Sequence, residues 1–198
     1  MTSRGCTVWV TGLPASGKRT LALSVGQELA QRGVAHEIID SGKLRETLLG
    51  NTIGFSREER NANCHRNAFV ATLLAKNGVV AVVSSVSPYR ATRDAIRTES
   101  GDFIEVWVST PKAVCIDRDE KGMWAKALAG EIHGFTGVDA PYEPPEQAEV
   151  TVDLSQTSIE SAVTEVLQAL EERGYLHTDA LEPETESDPA PQGFGYAD

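Results

Sequence analysis

The chain has 198 residues, 40% of them hydrophobic and 24% charged, which fits a single globular domain with one core and excludes a fibrous or wholly disordered chain. Its formal net charge of -11 excludes a general binder of nucleic acid or of acidic membranes, since neither attracts an acidic protein without a local basic patch, and no apolar run approaches the ~20 residues of a membrane helix. Met1 to Gly5 lacks the features of a signal peptide, and Cys6, Cys64 and Cys115 have no metal-ligand spacing, so free thiols in a cytoplasmic protein are expected.

The first element in chain order is the β-branched run Thr7 to Thr11, a strand, followed after a Gly-rich turn by a helical pattern from Gly17 to Arg32. Further strands are expected at Ala35 to Ile39, Val79 to Ser84, Phe103 to Val108 and Glu149 to Val152. Several of these are apolar without alternation, which suits strands covered on both faces. Ser56 with Glu59 and Thr157 with Glu160 have the spacing of a helix capping box. After the latter, Ile159, Ala162, Val163, Val166, Leu167 and Leu170 form one apolar stripe that reads as core. Repeated strand–helix units predict an α/β domain over residues 1–176, with a mostly parallel five-stranded sheet, helices on both faces and ligands beyond the carboxyl ends of the strands. Residues 177–198 hold six acids, three prolines and no lysine or arginine, a composition expected to stay disordered. Without those six acids, 23 remain against 18 bases, so the domain itself carries about -5.

Between the first strand and the first helix lies GLPASGKRT, Gly12 to Thr20. Two glycines with four residues between them let successive amides face one anion, and the start of the helix adds its positive end at the same point. Lys18 then reaches the β and γ phosphates, so Gly12, Ala15, Ser16, Gly17, Lys18, Arg19 and Thr20 are the expected contacts to ATP in a P-loop NTPase fold. The plain alternative is a Gly-rich turn with an ordinary surface lysine. The usual pattern has Ser or Thr directly after the lysine, where its hydroxyl holds Mg2+; here Arg19 stands there. Thr20 is displaced by ~100° around the helix and does not simply take over that direction. Two readings follow: Mg2+ is held by phosphates and water with Arg19 helping to neutralise charge, or ATP-dependent chemistry is impaired.

Downstream, GFSREERNAN from Gly54, SSVSPYR from Ser84, FIEVWVSTP from Phe103 and KGMWAKALAGEIHGFTGVDAPYEPP from Lys121 resemble the adenylylsulfate kinases in order and spacing, from about Cys6 to Leu170. The resemblance implies transfer of the ATP γ-phosphoryl group to the 3′-hydroxyl of adenylylsulfate, with Mg2+, in sulfate assimilation. It implies that Arg45, Arg60, Asn63, Val86 and Ser87 contact adenylylsulfate, that Phe55 and Phe135 sandwich its adenine, and that Lys121 sits on a closing C-terminal lid segment. A guanidinium fork suits sulfate and phosphate oxygens, and flat apolar rings suit a base. Ser87 matches a serine proposed as a phosphorylated intermediate, although direct in-line transfer is simpler. A homodimer is common in the family, and an ATP sulfurylase is a candidate partner.

The family's second strand ends in DGDN, whose second aspartate orients the metal and activates the hydroxyl; here the segment is Asp40, Ser41, Gly42, Lys43. Asp40 is thus either the surviving carboxylate near the metal or a cap for the following turn. Thr20 and Asp40 are the candidate metal ligands, and Lys18, Asp40 and Ser87 the candidate catalytic residues. Because Arg19 and Gly42 affect the same element of the site, a catalytically silent nucleotide-binding relative and a kinase for a related nucleotide stand as alternatives.

Overall fold

In the computed structural model, residues 4–49 and 54–176 are described; the acidic stretch 177–198 lies outside them. Strands β1 (Cys6–Gly12), β2 (His36–Asp40), β3 (Val80–Ser84), β4 (Phe103–Val108) and β5 (Val150–Val152) form one sheet in the order β2-β3-β1-β4-β5, with every pairing parallel. The expected strands are all present, with ends moved by no more than a residue. Between them run helices α1 (Lys18–Gln31), α2 (Ser41–Leu49), α3 (Arg57–Ala75), α4 (Arg90–Ser100), α5 (Lys112–Asp117) and α6 (Met123–Leu128), and α7 (Ile159–Glu172) follows β5.

The period of two along each strand divides the core. On one face Val8, Val10, Val80, Val82, Ile104 and Val106 pack with Leu21 and Val25 of α1 and Val166 and Leu170 of α7. On the other, Trp9, Ala81, Val83 and Phe103 pack with Cys64, Ala68 and Ala71 of α3 and Ile96 of α4. Both sides being covered explains why the strands lack polar alternation. A smaller cluster of Cys115, Trp124, Ala127 and Phe135 gathers α5, α6 and the loop after them beside Leu13.

The capping box at Ser56 and Glu59 is present, with Ser56 Oγ accepting from the Glu59 amide at 3.2 Å and Glu59 accepting from the Ser56 amide at 3.0 Å. The box expected at Thr157 and Glu160 is not. Helix α7 starts one residue later, so Ser158 is its cap and accepts from the Ser161 amide at 3.2 Å. That shift brings Ile159 against the core and leaves Glu160 in the first turn, where it still favours the helix dipole.

β1 lies between β3 and β4, so the chain leaves the central strand for opposite sides of the sheet and opens a crevice at its carboxyl end. Register aligns Asp40 with Ser84, and Gly12 with Val108, along that edge.

Candidate active site at the carboxyl edge of the sheet

The loop after β1 is shaped by two glycines. At Gly12 a Cβ would come 2.6 Å from the Val108 carbonyl oxygen, and at Gly17, which has φ 100°, it would come 2.7 Å from Leu154 Cδ1. Ala15 also has positive φ, at 59°, so the backbone turns sharply around the loop. Helix α1 begins directly at Lys18 with Gly17 as its cap and no side chain on its first amides. Those amides and the positive helix end are the groups that hold an anion. Ser16 is fully buried, and its carbonyl is pinned by Thr110 Oγ1 at 2.9 Å. Lys18 is 7% exposed, folded back so that Nζ donates to the Leu13 carbonyl and to Ser16 Oγ. Burial pushes its pKa down to about 8, with the neighbouring Cys115 opposing the shift.

Arg19, the second residue of α1, places Nε 2.8 Å from Asp40 Oδ2. Asp40 Oδ1 accepts from the amides of Gly42 at 2.9 Å and Lys43 at 3.1 Å, so it caps α2 as the sequence allowed. Both oxygens of Asp40 are therefore engaged, and Thr20 lies exposed on α1. Among the described residues no group of three or more His, Cys, Asp or Glu could hold a metal ion. Of the two ligands expected from sequence, Asp40 spends Oδ2 on Arg19 and Thr20 stands at the exposed surface of α1, so the two do not form a ready-made cation site.

Four of the residues expected at the second nucleotide are brought together. Phe55, Arg60, Val86 and Phe135 line one cavity of about 120 Å³ with Pro14 and Met123. Arg60 ties its walls: Nε donates to the Phe55 carbonyl at 2.9 Å and Nη2 to the Gly134 carbonyl. The Phe55 ring, 49% exposed, lies 4.4 Å from the Arg45 guanidinium and 5.2 Å from that of Arg60. Arg45 also donates to the Gly54 carbonyl at 2.7 Å. Phe135 is buried and meets Trp124 edge-on, with ring centroids 5.0 Å apart. Asn63 instead turns to the start of α2, donating to Ser41 Oγ at 2.9 Å.

Ser87 lies beneath this cavity. Its backbone has φ 37°, its side chain is 2% exposed, and its Oγ accepts from Trp9 Nε1 at 2.9 Å while donating to Thr11 Oγ1 at 3.0 Å. Thr11 in turn donates to the Val86 carbonyl at 2.8 Å. A hydroxyl so engaged supports the wall at Val86 rather than facing a reactant. Lys121, in the turn between α5 and α6, shares a second cleft of about 270 Å³ with Ala15, Arg118, Pro14 and Met123. Pro14 and Met123 line both cavities, so the two spaces adjoin.

The sequence gives no site role to Arg118, Trp9 or Trp124. Arg118 donates to the Leu154 carbonyl at 3.0 Å and adds a cation beside Lys121; its place three residues before that lysine was the available signal. Trp124 Nε1 donates to the Pro14 carbonyl at 3.1 Å, a contact between α6 and the phosphate loop that no local pattern encodes.

Residues 4–153 match the family model described as adenylylsulphate kinase. Adenylyl-sulfate kinases of Synechococcus sp. (strain JA-3-3Ab) and Rippkaea orientalis are 47% and 46% identical over 89% of the chain, covering 99% and 97% of those proteins. The solved structure of the Mycobacterium tuberculosis APS kinase in complex with AMPPNP and APS superposes with a TM-score of 0.80 at 39% identity, over 85% of this chain and 99% of that one. With the phosphate loop, the aromatic cavity beside it and these matches over most of its length, the chain belongs to the adenylylsulfate kinase family.

Proposed function

We propose that the chain transfers the γ-phosphoryl group of ATP to the 3′-hydroxyl of adenylylsulfate, giving 3′-phosphoadenylylsulfate and ADP. The observation that carries this reading is the adjacency of the two spaces: the cleft at Ala15 and Lys121 and the aromatic cavity at Phe55 and Phe135 share Pro14 and Met123 as a common wall. ATP lies with its phosphates on the amides from Gly12 to Thr20, and Lys18 leaves the Leu13 carbonyl for the β and γ oxygens. Adenylylsulfate enters the cavity with its adenine between Phe55 and Phe135, while Arg45 and Arg60 meet its anionic groups. Asn63 and Val86 shape the same side, and Ser87 holds Val86 in place.

Asp40 takes the proton of the 3′-hydroxyl as that oxygen attacks the γ-phosphorus and the bond to the bridging β–γ oxygen breaks. Lys121 and Arg118 lie on the lid side, where closure excludes water and aligns the reactants. The reading includes a cytoplasmic enzyme, a homodimer and an ATP sulfurylase as the source of adenylylsulfate; light scattering of the purified chain checks the dimer.

Chromatographic detection of 3′-phosphoadenylylsulfate from ATP and adenylylsulfate tests the assignment. Product at a rate that depends on the protein supports it. No turnover above background with saturating substrates and magnesium overturns it, and tight binding without turnover would instead identify a silent nucleotide-binding relative, a role to which the Arg19–Asp40 pairing would then belong.

A further inference from the structure

We infer that Arg19 is a cation built into the site to receive the phosphates: its guanidinium rests on Asp40 and passes to the triphosphate when ATP arrives, making ATP binding largely independent of divalent metal. The inference rests on the reading that ATP occupies the loop.

Arg19 is the second residue of α1, and the first turn of that helix holds no acidic residue. A cation there is opposed by the positive end of the helix, so it requires an anion close by. Asp40, 2.8 Å away, supplies one. The pair is held loosely, because the Arg19 side chain is 68% exposed and exposed ion pairs contribute little. A polyphosphate on the amides of Gly12 to Lys18 offers more charge, and oxygens that match a guanidinium fork. Asp40 does not need Arg19 to stay in place, since its Oδ1 is fixed by the amides of Gly42 and Lys43. Departure of Arg19 therefore frees Oδ2 of an anchored carboxylate, the group that receives the proton in the proposed transfer.

At Gly42 an added Cβ would come 3.2 Å from Asp40 Oδ1, so the missing side chain also leaves Asp40 uncrowded.

Calorimetric titration of ATP into the full chain, in EDTA and in excess magnesium, tests this with Arg19→Ser, Arg19→Gln and Asp40→Asn beside the parent. The parent is expected to bind ATP nearly as tightly in EDTA as in magnesium. Arg19→Ser and Arg19→Gln should lose about tenfold or more of the metal-free affinity, the loss of one charge-assisted contact. Asp40→Asn keeps the α2 cap but drops the competing charge, and should bind metal-free ATP at least as tightly as the parent. Metal-free affinity unchanged in both Arg19 variants, or lowered in Asp40→Asn, overturns the inference. A parent that binds no ATP in either medium overturns the functional reading itself, and this inference with it.

Discussion

Lys18 is where a single residue makes the clearest pH prediction. Burial lowers its pKa to about 8, so the free protein loses the ammonium as pH rises through that value, whereas a polyphosphate beside Nζ favours the charged form. ATP binding above pH 8 must therefore take up a proton, and affinity is expected to fall by up to about tenfold per pH unit until the bound-state pKa is passed. Titration calorimetry in buffers of different ionisation heat checks the uptake; a flat affinity from pH 7 to 9.5 would contradict it. Arg60 makes a second case, since it joins the Phe55 and Gly134 carbonyls and holds both aromatic walls. Arg60→Ala should raise KM for adenylylsulfate by about 10-fold to 100-fold, in line with lost charge-assisted contacts, and move KM for ATP little. Contiguous motifs pick out Phe55, Arg60, Val86 and Phe135, and the structure gathers these four around one cavity. The sequence could not show that Ser87 turns its hydroxyl to Trp9 and Thr11, or that Arg19 reaches Asp40, since those partners lie on other strands and helices.

At the scale of an element, the helix starts separate two physical roles. The N-terminus of α3 satisfies its amides with Ser56 and Glu59, and α7 uses Ser158, whereas α1 leaves its first amides without a side chain where the phosphate loop needs them. The structural caps should therefore be measurable as stability. Ser158→Ala is expected to cost about 1 kcal/mol in urea denaturation, while Thr157→Ala stays within about 0.5 kcal/mol. The reverse order would return the cap to Thr157. Sequence spacing identified both boxes, but only one is real: an ST pair gives two registers, and the burial of Ile159 against the sheet chooses between them.

Across the whole molecule, the sheet was legible because most strands are short apolar runs separated by helical patterns. The buried ionic network was not. Glu105 sits inside the apolar strand β4, yet it is 7% exposed at the side chain and pairs with Arg93 at 2.7 Å. Arg93 also donates to the carbonyls of Ser87 at 2.7 Å and Glu143 at 2.6 Å, and Arg97 links Glu105 to Glu149, so α4, β4 and the approach to β5 are tied together. Arg93→Ala leaves Glu105 with only the longer contact to Arg97 and should cost about 3–5 kcal/mol by denaturation. Arg93→Met with Glu105→Leu should recover much of that loss, because no charge is then stranded; a double variant as unstable as the single would show that packing rather than charge sets the cost.

Trp124 carries a consequence of a different kind. Its indole is fully buried, bonded through Nε1 to the phosphate-loop carbonyl of Pro14 and set edge-on against Phe135 of the aromatic cavity. One fluorophore therefore touches both proposed nucleotide compartments, and its emission is a natural optical gauge of either one filling. Ligands added singly and then together would show, without any label, whether occupancy of one compartment is felt in the other.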